Sequence, residues 1–385
     1  MGRPKKLVVK PLFTDQEMKA REGTWMEESD IVYPVLQTNT DVYRIDGEGN
    51  EVLLLKFRKA QIPDSLVRIG WDSYRDLAKA SRGRGASAGP IDASSDYWKK
   101  RTLVDPKKWS TGYLNPAGNL LKETYDSCTD EELGSLCRER GLSEEGSRET
   151  QIHRLIQKEG GVSKMKVNNQ VASNPIGFYE AGKNFADLPC RLTHFTRTNF
   201  EKYNQGLPFL QKIDALFKHL VPEAHQCQWD RAMLKPHLKI PETSFSTVTI
   251  NRNFRTALHR DAGDFKGGFG NLTVIEQGSY HGGHTVFPQY GIGIDLRNHD
   301  FVAMDVHQWH ANTPLYETED DQRSNALLTP PFKDNPKVGT AGLYTPYTRI
   351  SFVCYLREKI ATCPDTIDPR FLTHSGHGKI DTEHV

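Results

Sequence analysis

The chain has 385 residues, 37% of them apolar and 26% charged, with 50 Lys and Arg against 49 Asp and Glu. That length buries a sizeable core, and the composition excludes collagen-like, disordered and disulfide-scaffold classes. A formal charge of +1 excludes a globally basic nucleic-acid binder, so any such affinity has to come from local patches. No apolar run is long enough to span a bilayer, and no apolar core follows the basic N-terminus, so a protein that stays inside its cell is expected. The six cysteines (128, 137, 190, 227, 354, 363) show no metal-ligand spacing; scattered thiols argue for a reducing compartment and against a disulfide framework.

In chain order, residues 1–30 read as a flexible polar tail. Its Gly2-Arg3-Pro4-Lys5-Lys6 is similar to the centre of an AT-hook, in which an extended arginine lies in the minor groove. Residues 31–112 begin with two strand-like runs, 31–36 and 51–57, with Asp46-Gly-Glu-Gly-Asn50 supplying turn chemistry. A loosely periodic helix is predicted over 66–80, and 81–90, rich in Gly, Ser and Ala, reads as a flexible loop able to fold over a site. Tyr97-Trp98-Lys-Lys-Arg101 and Lys107-Lys108-Trp109 interleave cations with aromatics, which suits phosphate contact with base stacking, or a solvated edge. Over 124–160, Thr129-Asp-Glu-Glu132 is a capping box and Gly141 closes its helix. A second short helix carries Ile152, Leu155 and Ile156 on one face, with Arg148, His153 and Arg154 on its polar sides. This pair resembles the SAP motif of chromatin and repair proteins, which implies a small DNA-binding insert. Residues 165–385 re-enter the main domain. An amphipathic helix within 204–222 turns Leu210, Ile213, Leu216, Phe217 and Leu220 to one side, and His219, His225 and His237 have no partner at metal spacing.

Residues 245–312 hold the strongest chemical signal. His259 and Asp261 stand two apart, so on an extended strand both side chains leave one face. Two imidazoles and one carboxylate form the facial triad of non-haem Fe(II) oxygenases. The second imidazole has to come from His281, His284, His307 or His310. His307 and His310 are three apart and cannot share an orientation on a strand, so only one of them binds. Further on, Thr348-Arg349-Ile-Ser351-Phe-Val-Cys-Tyr355 alternates like a half-buried strand and carries a lone arginine. A buried guanidinium needs an anionic partner, and its fork fits a carboxylate. Downstream of a facial triad, the far carboxylate of 2-oxoglutarate is the natural candidate, with Ser351 on the same face as a hydroxyl donor. The segment 317–346 reads as an exposed loop.

Residues 245–357 resemble the catalytic core of the TET/JBP family, through His259-Arg-Asp261, Trp309-His310-Ala-Asn-Thr-Pro-Leu and Thr348-Arg349-Ile-Ser-Phe-Val-Cys-Tyr355. The runs 54–63 and 173–198 resemble the front half of that domain in viral and algal members. The resemblance implies a mainly β (α+β) fold, a double-stranded β-helix or jelly roll with supporting helices and the SAP-like insert. It implies oxidation of the methyl group of 5-methylcytosine or thymine in double-stranded DNA, with the base flipped out of the helix. Fe(II) would be held by His259, Asp261 and His310, and 2-oxoglutarate by Arg349 and Ser351. The base would be read by Asp264, Tyr355 and Arg357. The animal pattern has asparagine in place of Asp264 and histidine in place of Arg357, which leaves the choice of pyrimidine open. Some algal relatives use ascorbate in place of 2-oxoglutarate, and a protein or small-molecule hydroxylase is a further alternative on this fold. A monomer acting in the nucleus, or in the cytoplasm of an infected cell if viral, is expected, with no membrane partner.

Overall fold

The computed structural model describes residues 3–77, 80–81, 84–90, 113–114, 116–159, 162–163, 171–181, 190–328 and 347–367. The chain divides into two compact units, one of residues 1–90 and 170–385, the other of residues 91–169. The predicted front segment 31–112 is therefore shared between them. The cation–aromatic runs near Trp98 and Trp109 lie outside the described residues.

The first unit is built on a large sheet in the order Lys5–Val9, Thr40–Ile45, Glu51–Arg58, Phe301–Met304, Gly270–Gln277, Thr348–Tyr355, Thr247–Arg252, Val171–Tyr179 and Ala80–Ser81. The first pair is parallel and the others are antiparallel. Strand alternation decides which side chains face what. Val248 and Ile250, with Ile350, Phe352 and Cys354, turn to one side and pack against the helix Leu207–Leu220 through Phe209, Leu210, Ile213 and Phe217. Each such burial stabilises by roughly 1.5–3 kcal/mol. Thr249, Asn251, Arg349, Ser351, Val353 and Tyr355 turn the other way and line a cavity. A smaller sheet orders Ile292–Ile294, Thr285–Phe287 and Ala311–Asn312. Its Phe287, Ile292 and Ile294 share one buried cluster with Leu55, Leu272, Val274 and Val302 of the large sheet. Two sheets closing on one core, with helices on the outer face of the larger, make the double-stranded β-helix expected from the sequence. Gly177 lets two of the strands approach. It sits at φ +91°, and a Cβ there would lie 2.2 Å from the Ser246 carbonyl oxygen.

Several expectations are corrected. Residues 1–30 are no loose tail: they hold the strand Lys5–Val9 and the helix Asp15–Ala20, and bury Val9, Met18 and Met26. Lys6 of the AT-hook-like run pairs with Glu51. Residues 31–36 form no strand; only Leu36 bridges, to Ile294, while the strands are Thr40–Ile45 and Glu51–Arg58. The helix expected over 66–80 is Asp64–Tyr74 with a 3-10 turn Arg75–Leu77. Residues 85–88 form a 3-10 turn with Ser87 and Ala88 buried, not a flexible loop. Part of 317–346 is helical, Glu319–Asn325, capped by Thr318 through a capping box with Asp321. Cys190 and Cys363 form a disulfide across 173 residues, which the scattered spacing hid; Cys128, Cys137, Cys227 and Cys354 are free.

In the second unit the helices Asp130–Glu139 and Arg148–Lys158 join a third, Pro116–Asp126. Leu133, Cys137, Ile152, Leu155 and Ile156 pack with Tyr125. The Thr129–Glu132 capping box forms, and Gly141 takes φ +67°. Arg148 is a staple: its guanidinium reaches Asp130 at 2.6 Å and the Asp126 and Cys128 carbonyls at 3.0 and 2.5 Å.

Candidate metal centre and cavity

The loop after the strand Thr247–Arg252 carries both His259 and Asp261. They do not lie on a strand, as the spacing alone implied. His259 makes a single antiparallel bridge with His310, each N–H donating to the other's carbonyl at 3.0 Å. The Asp261 N–H donates to the Val306 carbonyl at 3.1 Å. Buried Ala257 and Leu258 anchor the near side of this zip, and buried Val306 and Trp309 the far side.

The zip brings three side chains together. His259 Nε2 lies 3.6 Å from Asp261 Oδ1, and His310 Nε2 lies 3.9 Å from Asp261 Oδ2. One ligand atom from each falls within 4.8 Å of the others. Nδ1 of His259 lies 2.8 Å from the Ala257 carbonyl, and Nδ1 of His310 lies 2.9 Å from the Gln308 carbonyl. A carbonyl beside each Nδ1 selects the tautomer with the proton there and leaves both Nε2 lone pairs facing Asp261, as metal-bound histidines require. Burial, then the neighbouring His259, lowers His310 to about 4, so the ring stays neutral. The other candidate histidines are engaged elsewhere. His307 turns to the Asp261 and Phe265 carbonyls, His281 to Asp321, and His284 to Glu28. His225, buried, bonds Asp214 at 2.9 Å.

The triad opens on a cavity of about 250 Å³. Arg349 lines it, only 4% exposed, and its Nε and Nη2 are buried with no hydrogen-bond partner among the described residues. An unmet guanidinium beside a two-histidine, one-carboxylate cluster is the donor set that Fe(II) and a dicarboxylate co-substrate would satisfy. Ser351 also lines the cavity and accepts from Asn251 Nδ2 at 3.3 Å.

The same cavity is lined by Asp264, Tyr355 and Arg357. Asp264 and Arg357 meet in an isolated backbone bridge. Burial, then the Asp261 charge, raises the Asp264 carboxyl well above its usual value, and its Oδ2 has no partner among the described residues. The Tyr355 hydroxyl lies 3.2 Å from Thr249 Oγ1, and burial pushes its pKa up to about 12. Arg357 is locked by Glu180, with Nη2 2.6 Å from Oε1 and Nε on Oε2, and lies over the Tyr179 ring at 5.2 Å. Glu180, Arg84, Thr249 and Asn251 escaped the sequence reading. For the last two a signal existed, since Thr247-Val-Thr-Ile-Asn251 is polar at alternate positions of an otherwise apolar strand. Glu180 carries no local mark.

A double-stranded β-helix with a His-x-Asp…His cluster beside a buried arginine defines a non-haem oxygenase core. Comparison with known proteins carries this further. Residues 174–358 match the family model Tet_JBP, the oxygenase domain of the 2OGFeDO superfamily. That superfamily implies Fe(II) and 2-oxoglutarate, and the triad and Arg349 fit both. The "Bifunctional helicase and thymine dioxygenase JBP2" of Leishmania braziliensis is 33% identical over 153 residues, 40% of this chain and 14% of that protein. JBP2 of Trypanosoma cruzi (strain CL Brener) is 34% identical over 198 residues, 50% of this chain and 16% of that protein. "Thymine dioxygenase JBP1" of Trypanosoma brucei brucei is 32% identical over 168 residues, 44% and 19% respectively. The match thus spans less than a fifth of each of these relatives. A solved structure of NgTET1 in complex with 5mC DNA aligns over 91% of this chain and 94% of that one, with a TM-score of 0.41 and 7% identity. A likeness that low carries no argument.

Proposed function

We propose that the chain is an Fe(II)- and 2-oxoglutarate-dependent dioxygenase that oxidises the methyl group of thymine or 5-methylcytosine in DNA. The observation that carries the reading is the convergence, in one cavity, of the triad, the unpartnered Arg349 fork and a polar wall suited to a pyrimidine. His259, Asp261 and His310 would hold the metal, and Arg349 with Ser351 the far carboxylate of the co-substrate. Fe(II) held there would supply the oxidising power, drawn from dioxygen with 2-oxoglutarate as the co-reductant that leaves as succinate and CO2. The chain's own residues orient and exclude water. Val353 and Leu272 give the cavity apolar surface. Tyr355 presents a ring face against which a flipped base can stack, since a base inside a duplex cannot reach a buried metal.

Asp264 and Arg357, which line the same cavity, would read the polar edge of that base, Arg357 through the nitrogen not bound to Glu180. Arg357 donates, and Asp264 donates when protonated and accepts when ionised. The thymine dioxygenases among the relatives favour thymine as the first substrate to assay. Nothing in the cavity favours ascorbate over the dicarboxylate that Arg349 fits. The helix pair 130–158 supports a reading as a SAP-like contributor to duplex affinity; its Arg138–Glu144 ion pair is exposed and, being weak, can exchange for a phosphate.

The test is incubation with Fe(II), 2-oxoglutarate and duplexes carrying thymine alone or with 5-methylcytosine, followed by digestion and mass spectrometry of nucleosides. Hydroxymethyluracil or hydroxymethylcytosine identifies the base. Absence of both, with succinate still formed only when a protein or small molecule is added, would overturn the DNA reading. Deleting 124–160 is expected to weaken duplex binding and flatten its salt dependence by roughly 0.9 in log–log slope per lost phosphate contact.

A further inference from the structure

We infer that Asp15, in the N-terminal helix, is a positioning residue for the metal centre. One carboxylate oxygen, Asp15 Oδ1, accepts from two donors at once: Arg260 Nη1 at 2.9 Å and the Trp309 indole Nε1–H at 2.8 Å. Arg260 is the residue between the ligands His259 and Asp261, and Trp309 immediately precedes the ligand His310. The same atom therefore ties together the two chain segments that have to meet for the triad to exist. The Arg260 guanidinium lies over the Trp309 ring, 4.2 Å from its centroid, which closes a three-membered cluster.

Asp15 is the end of a longer strap. Gly23 N–H donates to the Leu258 carbonyl at 2.8 Å, and Leu258 N–H donates to the Thr24 carbonyl at 2.9 Å, immediately before His259. Arg255 Nη2 reaches the Met26 carbonyl and Glu27, each at 2.6 Å. Met18 and Met26 are fully buried against Leu258 and Trp309. Residues 14–27 thus stitch the metal-bearing loop along its whole length, although they lie outside the stretch 174–358 that defines the oxygenase domain.

Asp15 and Arg260 are themselves largely solvent-exposed, with side chains 63% and 39% accessible. Exposed pairs contribute little to global stability. The ion pair therefore adds little to the fold, the buried Trp309 N–H that shares the same oxygen adds a modest amount, and the two together fix the spacing of the ligand segments. Groups hydrogen-bonded to metal ligands typically alter metal affinity by about 10–100-fold when removed, and Asp15, which acts through the neighbours of the ligands, is expected at the low end.

The inference rests on the metal assignment above, and the experiment separates the two. Co(II) alone is titrated into the metal-free 385-residue chain and followed by its d–d absorption, for the parent, His259→Ala, Asp15→Ala, Asp15→Asn, Arg260→Gln and the Asp15→Asn/Arg260→Gln double variant. The parent binds and His259→Ala does not. Asp15→Ala is expected to weaken binding about tenfold, the low end for such groups, in a metal-free chain that still unfolds cooperatively at a somewhat lower thermal midpoint. Asp15→Asn and Arg260→Gln each weaken it less, and the double variant is weaker than either by less than their product, because both act through one contact. Asp15→Ala binding Co(II) as tightly as the parent overturns the inference and leaves the triad intact. A parent that binds no better than His259→Ala overturns the triad, and the inference with it. If Asp15→Ala does not fold, Asp15→Asn and Arg260→Gln decide: parent-like affinity in both overturns it.

Discussion

Arg349 offers the most direct test of how the cavity works. The residue is 4% exposed, and two of its guanidinium nitrogens, Nε and Nη2, find no partner among the described residues. Those are adjacent corners of the fork, the pair that grips a carboxylate through two parallel bonds. Charge-assisted hydrogen bonds contribute about 1.5–3 kcal/mol each, so the pair is worth about 4 kcal/mol to a bound dicarboxylate. Arg349→Met removes both and is expected to raise the dissociation constant of 2-oxoglutarate about a thousandfold. Arg349→Lys keeps the charge but not the fork; losing one bond of about 2 kcal/mol raises it about thirtyfold. The assay is isothermal titration of 2-oxoglutarate into the Mn(II)-loaded chain, where no turnover depletes the ligand. Without ligand the expected direction reverses: Arg349→Met is at least as stable to urea as the parent, because an unmet buried donor costs about 1–3 kcal/mol and the variant lacks it. Parent-like affinity in Arg349→Met would refute the assignment of this arginine to the co-substrate. A large loss of ligand-free stability would show that it braces the sheet instead.

Two further predictions concern Asp264 and Arg357. Burial and then the Asp261 charge raise the Asp264 carboxyl, against the pull of Arg357. A raised acid holds its proton more tightly when folded, so its contribution is fully present below the unfolded pKa and is lost as pH rises through the folded one. Asp264→Asn is neutral throughout. In the metal-free chain it should converge with the parent toward pH 4 and exceed it at pH 8 by about 1–3 kcal/mol, the cost of an unpaired buried polar group; parallel urea-stability profiles across that range would contradict this. Glu180→Gln strips Arg357 of its counter-charge, and because the pair is 18% and 22% accessible the loss should be about 2–3 kcal/mol, below the value for a fully buried pair. Adding Arg357→Met should recover most of it, and a Glu180→Gln variant as stable as the parent would show that the pair does not hold the wall.

What the chain discloses unaided depends on how far away each residue's partner lies. Val248 and Ile250 against Thr249 and Asn251 write both faces of a strand into five consecutive positions, so the sheet and the cavity side were legible. His259, Asp261 and Arg349 were legible for a different reason: the partners they imply are a cation and a small anion, and chemistry alone names those. Residue chemistry left His310 and His307 open and only the family resemblance chose His310; the physical reason is the turn that begins at Asp305, whose carboxylate takes the His307 N–H at 3.1 Å and, through its other oxygen, the Gln308 amide at 2.9 Å. That turn aims His307 at backbone carbonyls and leaves His310 to the bridge with His259. Glu180 with Arg357, Asp15 with Arg260 and Trp309, and Cys190 with Cys363 are separated by 177, 245, 294 and 173 residues. No periodicity links such pairs, because strand order sets their meeting and strand order is a property of the closed barrel. The N-terminal segment was misread for a related reason. A strap that lies across an existing core needs only a few buried anchors, here Val9, Met18 and Met26, and so keeps the polar composition of a tail. The metal centre is therefore split between two kinds of information: ligands whose identity is local, and a scaffold whose coherence depends on contacts at the longest separations in the chain.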